Sequence, residues 1–377
     1  MAPHPKKIIS KIVFILGSIY SLIYLFSCLT PYINPVHFYP LTFLALLFPY
    51  LLGGMVAWLV ILLIFYRKRT FYFLIVTSIG FQNIHAVFSF HFPKEFVQQK
   101  DKKSIRVLSW NVKDFIDNQY HSDTVGNKRR DIMAFIKNMD PDIVCIQDFT
   151  EQIGEAFRSP LKDVTEIGSF PCHFFSIDII ARFPWAYTEY GTCIFSKYPI
   201  VDSGRFVYPG NINRESLAFA DLKIGNDTLR VYNTHLQSMY LKYVAQPIPQ
   251  YDFIVDENEF LANNPEPYQR LRHYDIKHVT QVTVAKPAMD ATKYPYIFCA
   301  DMNSVPSSYI YHQMSNGLTD AFLSKGSGGV GGTYDGLAPT LRIDVVLMSK
   351  QLKPIQYYSP KLHASDHFPI VTDIQFR

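Results

Sequence analysis

The chain has 377 residues, of which 36 are Lys or Arg and 32 are Asp or Glu, for a formal net charge of +4. Residues 1–93 hold six of the basic residues (Lys6, Lys7, Lys11, Arg67, Lys68 and Arg69) and no acidic one. Taking those six from 36 leaves 30 basic residues against all 32 acidic ones beyond residue 93, a balance that argues against a broad nucleic-acid-binding surface.

Uncharged runs at residues 12–29 and 41–66 are long and apolar enough to cross a bilayer. A third run, 71–90, is also uncharged but carries Gln82, Asn83 and His85. A cleaved signal peptide is the alternative for the first run, because it follows basic residues. The second long run, and the lack of a small-residue cleavage site, point instead to a multi-pass anchor over residues 1–93. Its helices are expected at about 12–29, 41–66 and 71–90. Lys6, Lys7 and Lys11 precede the first span and Arg67-Lys68-Arg69 follows the second, so the positive-inside rule puts both groups in the cytoplasm. If the third run spans, the protein sits in the inner membrane with everything beyond residue 93 on the extracytoplasmic side. If that run lies only in the interface, the large domain is cytoplasmic.

Residues 94–103 read as a short polar linker, and 104–377 as the main domain. "IRVLSWNV" is a strand that ends in polar residues, and "NKRRDIMAFIKNMDPDIVCIQD" is an amphipathic helix, a turn and a buried strand ending at Asp148. "GTCIFSKYPI" is a further strand, and "SLAFADLKIGNDTLRVYNTHL" a hairpin turning at Gly225-Asn226-Asp227. A Pro- and Tyr-rich insertion over about 237–268 follows, then a helix over about 268–284 and a buried strand in "YPYIFCADMN". "LRIDVVLMSK" and "HFPIVTDIQF" complete the set. Cys145, Cys193 and Cys299 fall inside apolar strands and read as reduced core thiols, and no C-x-x-C spacing occurs. Many strands, few helices and no dinucleotide or P-loop glycine pattern favour an α/β sandwich with largely antiparallel sheets.

The polar residues collect at strand ends. They are Asn111 in "SWNV", Asp148 in "CIQD", His235 in "YNTHL", Asp301 and Asn303 in "ADMN", Asp344 in "RID", and Asp366-His367 in "SDH". Each alone is an ordinary turn or cap residue. Together they provide oxygen ligands suited to Mg²⁺ or Mn²⁺, neutral amides that can stabilise developing charge, and a His that a carboxylate can tune as a base. That is the equipment for hydrolysing a phosphate ester.

This ordered series resembles the endonuclease/exonuclease/phosphatase superfamily over about residues 104–377. The resemblance implies a four-layer α/β sandwich with its site at one edge of two packed sheets. It also implies that Asn111, Asp148 and Asp366 hold a divalent metal, Mg²⁺ or Mn²⁺. Asp301 and Asn303 would orient the nucleophile and touch the scissile phosphate, His235 would contact phosphate or assist the leaving group, and Asp344 would orient His367, the general base. Three positions depart from the family pattern: Asp148 for Glu, Ala300 for Gly, and Lys113 where nucleases carry an acid. A water or Glu151 is expected to compensate for the shorter Asp148, and Ala300 to crowd the turn slightly.

Tyr190, Arg214 and Arg342 are weaker candidates for substrate contact, better read as a packing residue and two surface ion-pair partners. Arg270, Arg272 and Lys277 read as a solvated helix face. The expected function is a membrane-anchored, metal-dependent phosphoesterase acting on nucleic acid, phospholipid or a phosphoinositide-like ester. The expected partners are the lipid bilayer and that substrate, and no obligate protein partner is implied. The alternative is a catalytically inactive relative that acts as a membrane-bound scaffold.

Overall fold

The computed structural model describes residues 5–377 apart from 93, 114, 116–122, 154–158, 184–185, 211–214, 240–262 and 265. Most of the insertion expected at 237–268, with Tyr240, Tyr243, Tyr251 and Phe253, lies outside the described residues, as does Arg214.

Two N-terminal helices, α1 (Pro5–Cys28) and α2 (Pro40–Phe65), are long and apolar enough to cross a membrane. Their outward faces are bare hydrocarbon, including Ile12, Leu16 and Ile19 on α1 and Val56, Val60 and Leu63 on α2. The third run is not one helix. It divides at Gly80 into α3 (Arg67–Ile79) and α4 (Phe81–Val87), set at 61° to one another. A Cβ at Gly80 would lie 2.0 Å from the Tyr24 hydroxyl oxygen, so only glycine admits this close approach of α1. The Tyr24 hydroxyl donates to Thr77 O at 2.8 Å, and Asn83 Nδ2 donates to Ser27 O at 3.2 Å, which ties α3 and α4 to α1. The end of the run is extended and pairs Ser89 with Gly329 of the main domain.

The expected linker is packed rather than free. The Phe96 ring stacks on Tyr358, the Arg106 guanidinium lies 4.9 Å over Phe96, and Val97 exchanges two hydrogen bonds with the Gln356 side chain.

The main domain runs β1 (Ile105–Asn111), α5 (Asp123–Met139), β2 (Ile143–Ile153), α6 (Pro160–Gly168), β3 (Cys172–Phe183), β4 (Ala186–Ser196) and β5 (Ile200–Val207). Then follow β6 (Ser216–Ile224), β7 (Asp227–His235), α7 (Pro267–Asp290), β8 (Tyr296–Asp301), α8 (Tyr309–Ser315) and β9 (Thr319–Asp320). The chain closes with α9 (Ala321–Lys325), β10 (Asp344–Met348), β11 (Leu352–Tyr358) and β12 (Ile370–Phe376). One six-stranded sheet has the order β11-β12-β1-β2-β4-β3 and the other β5-β6-β7-β8-β10-β9. Each contains one parallel pair, β1·β2 and β7·β8, in otherwise antiparallel surroundings.

Period-two alternation assigns each strand face to a layer. In β1, Ile105 and Val107 face the opposite sheet, while Leu108 and Trp110 face α5. Cys145 and Cys299 join the inter-sheet core, Cys193 faces the helix layer, and all three thiols are free. The helix face of the second sheet packs Tyr232, Phe298 and Ala300 against Val282, Ala285 and Met289 of α7. The result is helix, sheet, sheet, helix: the expected four-layer sandwich. A parallel pair needs a long crossover, so β1 and β2, like β7 and β8, end at the same edge of their sheet. That edge carries the polar residues.

Candidate active site

Register does the first part of the assembly. On the parallel pair β7·β8, His235 stands opposite Asp301, and antiparallel β10 begins with Asp344 opposite Asp301. Asn111 ends β1 beside Gln147 of β2, and the turn carrying Asp366 and His367 leads into β12, which pairs back along β1. All eight sequence-identified residues come to the same sheet edge, and seven line one cavity: Asn111, Asp148, His235, Asp301, Asn303, Asp366 and His367. Asp344 sits behind His367.

His367 is 6% exposed and held from several sides. Its Nδ1 lies 2.9 and 3.1 Å from the two oxygens of Asp344, its Nε2 lies 3.6 Å from Asp301 Oδ2, and its carbonyl accepts from Trp110 Nε1 at 2.9 Å. Asp344 is steadied in turn, because the Thr333 hydroxyl oxygen accepts from the backbone N–H groups of both Ile343 and Asp344. Burial pulls the His367 imidazole down, but Asp344 and then Asp301 outweigh it and hold the ring up to about 9. Burial also raises Asp344, against the lowering effect of His367.

Asp301 is fully buried at the centre, where its Oδ2 accepts from Asn111 Nδ2 at 2.9 Å and lies 3.5 Å from His235 Nε2. Its Oδ1 accepts from Asn303 N at 2.9 Å, which fixes a left-handed turn with φ 45° at Asn303. Asn303 Nδ2 then spans Leu236 O (2.8 Å) and His235 Nε2 (3.0 Å). Ala300 lies within β8, buried and paired with Thr234 and Val345. The turn that it was expected to crowd starts only at Met302.

Asp148 stands in a β-bulge with φ 50°, which turns its carboxylate toward the site although the residue falls within a strand. Its Oδ1 lies 3.0 Å from His235 Nδ1 and its Oδ2 accepts from Asn111 Nδ2 at 3.1 Å. Burial works to raise this carboxyl, but His235 and Asn111 bring it down to about 2. The reciprocal effect lifts His235 well above its ordinary range: burial opposes, and Asp148, Glu215 and Asp301 prevail. Glu151 does not compensate for Asp148. Its Oε2 accepts from Leu161 N at the start of α6, away from the site. Lys113 places its Nζ 2.7 Å from Asp366 Oδ2, on a side chain that is 63% exposed.

Several remaining expectations change. Arg342 is buried rather than at the surface, bound to Asp320 Oδ2 at 2.7 Å and to Ala86 O of α4 at 2.8 Å. Arg270 is buried too, so α7 does not present a solvated face there, and Arg272 stacks 5.0 Å over Tyr39. Tyr190 sits in β4 opposite Thr150 and is not among the residues that line the cavity.

The sequence reading missed the supports behind these side chains. Gln147 Nε2 donates to Ser109 Oγ and to Asn233 Oδ1, and Asn233 Nδ2 donates to Ile146 O and Cys193 O, each at about 3 Å. This buried bridge ties the two sheets together one residue behind the site. Glu215 lies 3.5 Å from His235 Nδ1 and accepts from Gln281 Nε2, and burial pushes it up to about 8. Asp178 accepts from the Ser216 hydroxyl at 2.6 Å, and burial pushes it up to about 7. Period-two position marked Gln147 and Asn233 as buried polar residues, a signal that was available. Nothing local marked Glu215 or Asp178.

The donor set is rich in carboxylate oxygen and has no thiolate, which suits a hard divalent cation. Among the described residues, the His and Asp atoms that converge most tightly belong to Asp301, Asp344 and His367, within 4.8 Å of one another. Asn111, Asp148 and Asp366 surround that group on the cavity side.

Comparison with known proteins agrees with the fold. The model of the endonuclease/exonuclease/phosphatase family matches residues 108–367, and that of a domain family of unknown function matches residues 10–87. No curated protein matches. The endonuclease/exonuclease/phosphatase from Beutenbergia cavernae DSM 12333 aligns at 18% identity and TM-score 0.50, covering 73% of this chain and 72% of that one. A functionally unknown conserved protein from Enterococcus faecalis V583 aligns at 14% identity and TM-score 0.50, covering 72% and 100%. The human Nocturnin catalytic domain, solved with bound sulfate, aligns at 17% identity and TM-score 0.49, covering 73% and 94%. The first two alignments, at such identities, speak to fold alone. With its family model spanning the whole run of site residues, the chain belongs to the endonuclease/exonuclease/phosphatase family.

Proposed function

We propose that this protein is a membrane-anchored hydrolase of phosphate esters that works with Mg²⁺ or Mn²⁺. The observation that carries the reading is the His367–Asp344 pair, at 2.9 Å, facing a fully buried Asp301 at the end of a cavity. Asp344 fixes the ring through Nδ1 and leaves Nε2 directed at the space beside Asp301, where it takes a proton from an attacking water. Asp301 orients that water, and Asn303 and His235, which bond to one another beside Asp301, would turn to the phosphoryl oxygens when substrate takes the place of that bond. Asp148, Asp366 and Asn111 would hold a divalent cation, which when bound would supply positive charge beside the phosphoryl oxygens and offset the carboxylates that raise His367. The spanning helices α1 and α2 anchor the enzyme. Thr30 and Ala45, near the other ends of α1 and α2, both bond Ser307 of the main domain, so Lys11 and Arg67–Arg69 support, by the positive-inside rule, a site on the extracytoplasmic face.

The test is hydrolysis of bis(p-nitrophenyl) phosphate and p-nitrophenyl phosphate by the full-length protein, with Mg²⁺ or Mn²⁺ and with chelator. Turnover that needs the cation and disappears in His367→Ala is expected. A folded protein that turns over neither ester, with either cation, would overturn the reading. The second reading, an inactive scaffold, draws on the ion pairs that Lys113 and His235 make with Asp366 and Asp148, two of the carboxylates assigned to the metal. That outcome predicts no turnover together with no cation binding.

A further inference from the structure

The cavity that holds His367 is not walled by the main domain alone. About 500 Å³ in volume, it has Thr42, Ala45, Leu46, Leu47 and Tyr50 of α2 along one wall. Leu337, Leu341 and Ile343 of the loop before β10, with Met239 and Leu271, complete an apolar end opposite the carboxylates. The wall is fixed in place. The Ser307 hydroxyl donates to Ala45 O at 2.7 Å, and the Thr340 hydroxyl donates to the Tyr50 hydroxyl at 3.1 Å. Ala45 packs with Val305 and Ile343 in a small shared core, and Phe43 and Leu46 pack with Met239, Leu271 and Tyr274 in another. The anchor is part of the active-site wall.

The depth of that wall decides what can enter. At 1.5 Å per residue, the 26 residues of α2 make a rod about 39 Å long, against a hydrocarbon core of about 30 Å. With Phe65 at one hydrocarbon boundary, the other boundary falls near Leu46. The part of the wall from Leu47 to Tyr50, with Thr340 bonded to Tyr50, is then level with the acyl chains, and the part from Thr42 to Leu46, against Met239, Leu271 and Ile343, with the head groups. Leu47 and Leu337 both line the cavity yet are 44% and 50% exposed, so at that depth they would stand where the cavity meets the bilayer. A water-soluble phosphate ester has no use for such a lining, and the absence of a basic excess beyond residue 93 disfavours a nucleic-acid strand.

We infer that the substrate is a membrane lipid, a phosphate ester whose hydrocarbon chain stays against α2 while its phosphate reaches the carboxylate end of the cavity from the side. This rests on the phosphoesterase reading. It adds that α2 is a substrate-binding element and that the lipid need not leave the bilayer to be cleaved.

The experiment uses the full-length protein in vesicles of phosphatidylcholine, phosphatidylethanolamine, phosphatidylglycerol, phosphatidylinositol and phosphatidic acid, with Mg²⁺ or Mn²⁺. Head-group or phosphate release is measured beside turnover of bis(p-nitrophenyl) phosphate in the same sample. Release from at least one lipid is expected, and Leu47→Trp and Leu337→Trp should each lower the ratio of lipid to soluble-ester turnover at least tenfold. Soluble-ester turnover without release from any lipid overturns the lipid assignment and leaves the phosphoesterase standing. Turnover of neither sinks both. An unchanged ratio in both Trp variants overturns the lateral route. Independently of activity, a phosphatidylcholine with a diazirine in its acyl chain should label residues 337–343 in chelator. Labelling confined to α1 and the outward face of α2 would contradict the proposal.

Discussion

His367 Nδ1 lies 2.9 Å from Asp344 Oδ2, and both residues are buried, although Asp344 opens β10 and His367 lies in the turn before β12, with β11 between them in the chain. The carboxylate has two oxygens on one ring nitrogen and a backbone N–H anchored on Thr333, so the ring has one orientation. Replacing Asp344 with Asn removes the charge and offers a donor where the ring N–H needs an acceptor. Asp344→Asn should lower kcat by about 10²- to 10³-fold with a much smaller change in KM. Steady-state kinetics on a soluble diester reads both, and a wild-type kcat would remove Asp344 from the mechanism.

Lys113 competes for Asp366. The ion pair is largely exposed, so its own contribution to stability is small, but its charge occupies a carboxylate assigned to the metal. Lys113→Ala should tighten Mn²⁺ binding by about three- to tenfold, measured by titration calorimetry on the full-length protein. Unchanged or weaker affinity would mean that Asp366 does not reach the cation.

The Gln147–Asn233 bridge holds the two sheets together behind the site. Asn233→Ala leaves Gln147 Nε2 and two backbone carbonyls of the first sheet short of a partner in a buried setting. A loss on the order of 3 kcal/mol follows, with a lowered Tm. Catalysis should fall as well, since Asn111 and Asp148 on one sheet must stay in register with Asp301 on the other. A Tm within a degree of wild type would show the bridge to be dispensable.

Asp178 makes stability depend on pH. Burial raises its carboxyl from 3.8 to about 7, so the folded state prefers the protonated form. The resulting stabilisation is fully present below pH 3.8 and fades as pH rises through 7. Asn cannot ionise but still accepts from Ser216. Relative to wild type, Asp178→Asn should therefore gain stability between pH 4 and pH 8, by up to about 4 kcal/mol. Thermal melts of both proteins across that range check it, and a flat difference would place the titration elsewhere.

Much of the site was legible before any coordinates. Strand ends reveal themselves by Asn, Asp or His at the limit of an apolar run: Asn111, His235 and Asp301 sit where such runs stop, and Asp344 where one starts. Asp148 was found for the same reason, but not its bulge, because one extra residue in a strand leaves no periodic trace over so short a run. The third apolar run was read as one helix because hydropathy does not register that Gly80 must admit the Tyr24 hydroxyl. Arg342 and Arg270 were placed on the surface by composition. Their burial depends on Asp320, Ala86 and the packing of α7, far away along the chain.

The sequence by itself determined eight of the twelve described strands, the order of the site residues, the apolar N-terminal runs and the family, because these follow from periodicity, charge and short motifs carried within a few residues. Only the tertiary structure decided that Glu215 and Asp178 sit behind His235, that Lys113 reaches Asp366, and that α2 forms a wall of the active site. Those contacts join residues distant in sequence, and their energetics depend on burial, which no local stretch of the chain contains.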